Sequence, residues 1–128
     1  MRYLFIFFFF ISFHLQASPA DALQRVLGFE TFDGQTESGE RCSVEIDRFV
    51  SGKVRIFLFN PRVNQFEFTD EDSYEVSENG IRISNPTIYE DNAEITNTFV
   101  VDGNIVGIER TFCTYKCWIS MRPCLLYR

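Results

Sequence analysis

Four cysteines carry the most reactive side chains in this 128-residue chain. Cys113, Cys117 and Cys124 lie close together near the C-terminal end, and Cys42 lies far upstream. Cysteines can form disulfides, ligate zinc or act as nucleophiles, and the residues that accompany them decide between these roles.

Histidine is missing from most of the chain, which narrows the catalytic options. The one histidine, His14, lies in an N-terminal segment that we predict to be removed. Without it the chain lacks Ser–His and Cys–His pairs, histidine metal ligands and the most frequent general base. Lys53 and Lys116 are the only lysines, and no phosphate-binding glycine loop or dinucleotide motif occurs. We therefore predict that the protein is not an enzyme and has no catalytic residues and no cofactor.

Carboxylates are plentiful, and they define the alternative hypothesis of a carboxylate-based hydrolase. Six of them fall on the polar faces of alternating strands, where acids serve solubility: Glu45, Asp47, Glu67, Glu75, Glu94 and Glu109. The acidic segment 70–75 offers oxygen ligands for calcium but lacks the glycine and the terminal glutamate spacing of an EF-hand. We interpret it as a solvated turn and predict no metal site.

The N-terminal end has the features of a secretory signal peptide. Met1 and Arg2 are followed by an apolar run over residues 3–13, which is shorter than the roughly 20 residues that span a bilayer. We predict a signal peptide over residues 1–17, cleaved after Ala17, and a single exported β-domain over residues 18–128. Cleavage after Ala20 or Ala22 stays open as an alternative. This domain would be secreted or periplasmic, without stable membrane insertion after signal removal, and its formal charge would be −7 because Arg2 is lost.

The compartment favours disulfides over metal ligation, because small exported domains are commonly cross-linked. The spacing of the cysteines, three and six residues between the last three, also lacks the paired short knuckles of zinc ribbons. We predict that Cys42, Cys113, Cys117 and Cys124 are all disulfide-bonded.

Geometry limits the pairing of these four cysteines to two choices. If Cys113 and Cys117 share one strand, their Cα atoms are roughly 13 Å apart, and a disulfide needs less than about 7 Å. Excluding the Cys113–Cys117 bridge also excludes the bridge that would have to accompany it, Cys42–Cys124. We favour a bridge between Cys42 and Cys117, with a second bridge between Cys113 and Cys124. A bridge between Cys42 and Cys113, with Cys117 joined to Cys124, stays open as the alternative.

Hydrophobic periodicity predicts one helix and then strands. Ser18 as N-cap, Pro19 at the first helical position and Gly28 as the C-terminal residue delimit a short helix. Residues 29–40 are predicted as a loop, with 28–32 as a candidate short strand. Period-two alternation then predicts strands from Arg41 and over 53–59, 65–69, 74–77, 81–84, 93–101, 105–112 and 115–121.

Two hairpins have strong turn signals. Asn79-Gly80 predicts a two-residue turn that pairs Val76 with Ile83. Gly103-Asn104 predicts a turn that pairs Val101 with Val106 and keeps apolar pairs on one face. The fold class that follows is all-β: a small antiparallel meander of seven or eight strands forming a barrel or a two-sheet sandwich, with a short N-terminal helix and disulfides.

Aromatic side chains supply the candidate binding surface. Phe57 and Phe59 alternate with the apolar face of their strand, and Trp118 alternates with that of the last strand. We predict Phe57, Phe59 and Trp118 as the surface residues for a protein partner or a small apolar ligand.

The net charge of the protein indicates which class of partner it would bind. A net charge of −7 repels the phosphates of nucleic acid and favours a basic protein. In size, acidity and disulfide content the chain resembles exported β-barrels that inhibit lysozyme, a resemblance of type in which no motif aligns. We therefore expect a non-catalytic binding module, and keep the hydrolase and an envelope assembly module with an unpaired strand edge as alternatives.

Overall fold

A computed structural model of the protein describes residues 18–60 and 62–127. The predicted signal peptide and its cleavage site after Ala17 lie outside these residues. Helix α1 spans Pro19–Val26, and the strands are β1 Phe32–Gln35, β2 Arg41–Arg48, β3 Val54–Asn60, β4 Arg62–Phe68, β5 Ser73–Val76, β6 Gly80–Ser84, β7 Ile88–Glu90, β8 Ala93–Asp102, β9 Ile105–Cys113, β10 Cys117–Met121 and β11 Cys124–Leu126.

Helix α1 has the ends that its sequence predicts. The hydroxyl of Ser18 accepts a hydrogen bond from the backbone N–H of Asp21 at 3.2 Å, and Pro19 begins the helix. Leu23 is fully buried, and α1 packs against β5 and β6. Gly28 follows the helix with φ +90°, a conformation that favours glycine. Among the described residues, no helix has the length and apolar character needed to cross a membrane.

The strands form one antiparallel sheet in the order β4-β3-β2-β1-β11-β9-β8-β6-β5. Strand β11 lies between β1 and β9, so the first and last strands are neighbours, and β4 and β5 form the two ends. The expected all-β antiparallel fold is confirmed. The predicted strand count was too low, because the short strands β1, β7 and β11 have too few residues to show a period.

The sheet curls into a half-barrel around its core. The rings of Phe66 on β4 and Phe99 on β8 lie 6.0 Å apart, although five strands separate β4 from β8 in the sheet. The apolar faces of β2, β3 and β4 point inward, and the core consists of Ala20, Ala22, Leu23, Leu27, Cys42, Val44, Ile46, Val54, Ile56, Leu58, Phe66, Phe68, Ile81, Ile83, Phe99, Val101, Val106, Cys124 and Leu126.

The two predicted hairpin registers have different outcomes. Val101 pairs with Val106 as predicted, and Gly103 has φ +61° in the turn between β8 and β9. The other register is wrong by two residues, because Val76 pairs with Ile81. Gly80 belongs to β6, where a Cβ would overlap the backbone carbonyl of Val101 on β8. The close approach of β6 to β8, and not a turn, therefore requires glycine at position 80.

The disulfides are also corrected. All four cysteines are bonded as predicted, but the pairs are Cys42–Cys124 and Cys113–Cys117, with Cα–Cα distances of 6.0 Å and 4.0 Å. The excluded pair forms because Cys113 ends β9 and Cys117 begins β10, so the two face each other across a hairpin. The turn between them is closed by a 2.9 Å hydrogen bond from the N–H of Thr114 to the carbonyl of Lys116.

Candidate binding surface

The β8–β9 hairpin extends beyond the strands that flank it near its turn. Strand β6 pairs with residues 98–102 of β8, and β11 pairs with the start of β9. Farther along, β7 pairs with residues 93–95 and β10 pairs with residues 109–113. We call β7, β10 and the hairpin segments 93–97 and 109–113 the wing.

An apolar row crosses the wing on the face that carries the core residue Phe99. Ile88, Ile95, Phe112 and Trp118 are direct neighbours on successive strands. The rings of Phe112 and Trp118 lie 6.0 Å apart. Ile95 is 8% exposed, whereas Trp118 at the end of the row is 49% exposed. The apolar face of the core thus continues onto the solvent-exposed wing.

A groove lies where the wing meets the strands on the opposite side of the half-barrel. Its volume is about 570 Å³, and it is open to solvent. Leu58 on β3 and Ile108 on β9 contribute apolar surface, and Arg110, Ser120 and Arg122 contribute polar groups. Because the interior of the half-barrel is filled by core side chains, this groove is a surface feature next to the row that ends at Trp118.

Basic side chains are concentrated around this groove in an otherwise acidic protein. Residues 110–128 contain four basic and no acidic residues, whereas residues 18–109 contain seven basic and eighteen acidic residues. Arg110, Lys116 and Arg122 make no ion pair with any residue in the described part of the chain. No carboxylate of the described residues therefore lies within ion-pair distance of these three cations. We use the name cationic–apolar surface for Phe112 and Trp118 on one face of the wing, Ile119 on the other face of the edge strand β10, and these three cations.

The predicted residues Phe57 and Phe59 lie on a different face. Their rings are 6.3 Å apart on the side of β3 that points away from the core. The guanidinium of Arg55 lies 5.9 Å from the ring of Phe57 and donates a 2.7 Å hydrogen bond to Glu67. Trp118 instead contacts Phe112, and no ring contact between described residues joins it to the two phenylalanines. The structure thus separates the three predicted residues into two surfaces.

Glu67 is held in its ionised form by its neighbours. The hydrogen bond from Arg55 lowers the pKa of Glu67 below its ordinary value of 4.5, and the positive charges of Arg55 and Lys53 act in the same direction. A hydrolase would need a carboxyl with a raised pKa as its general acid. The shift at Glu67 has the opposite direction and fits a structural ion pair on the outside of the sheet.

The acidic segment 70–75 is a turn leading into β5. The carboxylate of Asp72 accepts a 2.9 Å hydrogen bond from the backbone N–H of Thr69, which fixes the start of the turn. Among residues 18–60 and 62–127, no group of three or more acidic, cysteine or histidine side chains is arranged to hold a metal ion.

Comparison with other proteins identifies no relative. No family model, curated protein or solved structure matches this chain. The function must therefore be inferred from the surface itself.

Sequence reasoning missed most of the cationic–apolar surface. It selected Trp118 but not Ile119, Arg110 or Arg122. A signal was present, because the chain has no acidic residue after Glu109 while net charge alone suggests a uniformly acidic protein. Regional charge, and not the total, indicates the exposed basic surface.

Proposed function

We propose that this protein is a non-catalytic binding module that holds a partner protein on its cationic–apolar surface. One observation carries the proposal: Trp118 and Ile119 of β10 are 49% and 67% exposed, and the three cations near them in sequence or strand pairing make no ion pair within the described chain. Exposed tryptophan and arginine are the residue types that contribute most to binding energy at protein interfaces. Large apolar side chains of this kind gain free energy when a partner covers them.

The charge of the surface favours an acidic partner segment. Lys116 and Arg122 flank Trp118 in the sequence, and Arg110 on β9 pairs with Ser120, two residues from Trp118. Fifteen of the eighteen carboxylates lie outside the wing and would repel an acidic partner from the rest of the molecule, while Glu109 within the wing is paired with Arg82. The expectation of a basic partner came from net charge alone, and we replace it with an acidic segment for this surface.

A small apolar ligand receives less support than a protein partner. The most suitable place for it is the open groove beside Ile108, where Arg110 and Arg122 would be left without partners by an apolar molecule. An acidic protein segment would satisfy these guanidinium groups and cover the apolar row in the same event. We also retain a binding role over the hydrolase alternative, because the pKa of Glu67 is lowered, whereas a general acid needs a raised pKa. The disulfides fit the proposed secreted or periplasmic location.

The test is capture of a partner by the oxidised protein from the exported fraction, followed by titration of the purified partner. We expect Trp118→Ala to weaken binding by about tenfold or more, since truncation of a central aromatic commonly costs over 1.4 kcal/mol. Arg122→Gln should weaken binding less and should flatten its dependence on salt.

Two matched variants serve as controls. Phe59→Ala removes an exposed aromatic from β3, and Arg41→Gln removes an exposed cation from β2. Both should leave affinity unchanged. Loss of binding in Phe59→Ala with normal binding in Trp118→Ala would transfer the function to the β3 surface. Absence of any saturable partner would reject the binding role.

A further inference from the structure

Strand β10 differs from the other strands at the edges of the sheet. The edge strands of the described chain are β4, β5, β7 and β10. Three of them contain charged residues, which protect a strand edge against pairing with other chains. β10, Cys117–Met121, contains none, and its residue Ile119 is 67% exposed. Exposed, uncharged and apolar edges are the ones that accept an additional strand.

The register with β9 indicates which backbone groups of β10 are free. Cys113 and Cys117 face each other with Cα atoms 4.0 Å apart, the short spacing of a pair that exchanges no backbone hydrogen bonds. Hydrogen-bonded pairs alternate with such pairs, so Trp118 and Ser120 point their N–H and C=O groups toward β9. Those of Ile119 point outward, where no other described strand pairs with β10.

We propose that β10 binds its partner by strand addition: an extended acidic segment of a partner protein pairs with the free edge centred on Ile119. The inference rests on the proposed function and specifies how the cationic–apolar surface recognises its partner. Backbone hydrogen bonds to Ile119 would supply the register, and side chains of the added strand would cover Trp118.

Charge at the two ends of β10 selects an acidic segment over a second copy of this chain. An antiparallel pair of two β10 strands centred on Ile119 would place Lys116 of one copy opposite Arg122 of the other. Directly opposed like charges destabilise a strand pair. An extended segment with an acidic residue at each end would instead pair with both cations, so the same two residues oppose self-association and favour the acidic partner.

Alternation along the strand defines a probe peptide. Along β10, Trp118 and Ser120 share one face and Ile119 lies on the opposite face. We extend the same alternation to residues 116 and 122, which flank the strand, on the face of Trp118. The complementary antiparallel strand has acids opposite positions 122 and 116 and an aromatic residue opposite Trp118. The capped peptide Glu-Thr-Thr-Val-Phe-Thr-Glu meets this pattern, with its valine opposite Ile119.

Titration of this peptide, followed by Trp118 fluorescence, tests strand addition. Two N-methylated forms are the matched pair. Methylation of the valine nitrogen removes the N–H that would donate to Ile119, and methylation of the phenylalanine nitrogen removes one that points away from β10. We expect the first to bind about tenfold more weakly than the unmodified peptide, and the second to bind nearly as well.

The protein side has its own matched pair. Ile119→Ala removes the side chain and keeps the backbone N–H, whereas Ile119→Pro removes the outward N–H as well. Proline is tolerated at an edge position whose N–H faces solvent, so β9 pairing should persist. Ile119→Pro should bind the peptide about tenfold more weakly than Ile119→Ala. If Ile119→Pro does not fold, the two methylated peptides still decide the question.

Each other outcome has a defined meaning. If the two methylated peptides bind with equal affinity, whether both are weakened or neither is, strand addition is overturned. Binding of a peptide with lysine in place of both glutamates overturns the acidic assignment. Binding to phosphatidylglycerol vesicles without binding to the peptide overturns the proposal in favour of a membrane surface. A natural partner that depends on Trp118 but not on the Ile119 backbone would leave the proposed function intact and reject strand addition alone.

Discussion

Cys124 occupies the space that a side chain on residue 34 would need: a Cβ built on Gly34 would lie 3.0 Å from the Sγ atom of Cys124. Gly34 on β1 pairs with Cys42 on one side and with Leu126 on the other. The Cys42–Cys124 disulfide therefore passes over β1 at a position without a side chain. This arrangement links β2 to the last strand, β11, across the intervening strand β1.

Gly34→Ala should destabilise the protein severely. The added Cβ would meet both Cys124 and the backbone carbonyl of Leu125, and neither can move without disturbing the pairing of β1 with β11. We expect a loss of more than about 3 kcal/mol in the free energy of unfolding, measured by urea denaturation. Gly39→Ala is the control, because Gly39 has φ +86° but no atom within 4 Å of the added Cβ. It should cost only about 1 kcal/mol. Equal losses of unfolding free energy in the two variants would mean that β1 shifts to accommodate the added methyl group.

The two disulfides should contribute unequally to stability. Cys42–Cys124 closes a loop of 82 residues and Cys113–Cys117 closes one of four. The chain-entropy relation gives about 4.5 kcal/mol for the long loop and about 2 kcal/mol for the short one. Replacing each pair by two alanines and measuring urea denaturation should reproduce this order. A larger loss for the Cys113/Cys117 double variant would show that the wing, and not the junction of first and last strands, limits stability.

The sequence predicts the parts of the fold that local patterns determine. The β8–β9 register follows from apolar pairing and from glycine at the start of the turn, and both hold in the structure. The β5–β6 register does not, because Gly80 is needed for its close approach to β8, a contact between residues more than twenty positions apart. A glycine required by a tertiary contact has the same appearance in the sequence as one required by a turn.

The prediction of the disulfide pairs is wrong for a related reason. The turn over residues 114–116 contains no glycine, proline, asparagine or aspartate, so nothing in the local sequence separates Cys113 from Cys117. The exclusion of a Cys113–Cys117 bridge assumed that both cysteines lie in one strand, although the predicted strands end at residue 112 and begin again at residue 115. The candidate surface was predicted only at Trp118, because the wing brings Arg110 of β9 next to β10 through strand pairing.

Glu67→Gln should reduce stability in a pH-dependent way. Arg55 lowers the pKa of Glu67 in the folded protein, so the ionised form is favoured by folding. The stabilisation is fully present above the ordinary pKa of 4.5 and is lost as the pH falls through the lowered folded value. The variant should therefore unfold at lower urea than the parent protein at pH 7, and the difference should shrink toward pH 3. Glu75→Gln is the control, since Glu75 makes no ion pair with described residues. A difference that grows toward pH 3 would contradict the assigned direction.

Trp118 should report a positive local potential in a negatively charged protein. It is the only tryptophan, and Lys116, Arg122 and Arg110, which lie near it in sequence or strand pairing, make no ion pair with described residues. Because exposed charges act over a Debye length of about 10 Å at 0.1 M salt, we expect these cations to outweigh the carboxylates of the protein at the indole ring. Iodide should therefore quench Trp118 fluorescence more efficiently relative to caesium than it quenches N-acetyltryptophanamide at the same ionic strength. The double variant Lys116→Gln/Arg122→Gln should lower that ratio by about twofold, and Arg41→Gln should leave it unchanged. A ratio below that of the free indole would mean that the net charge of the protein dominates at the wing, and it would remove the electrostatic basis for an acidic partner.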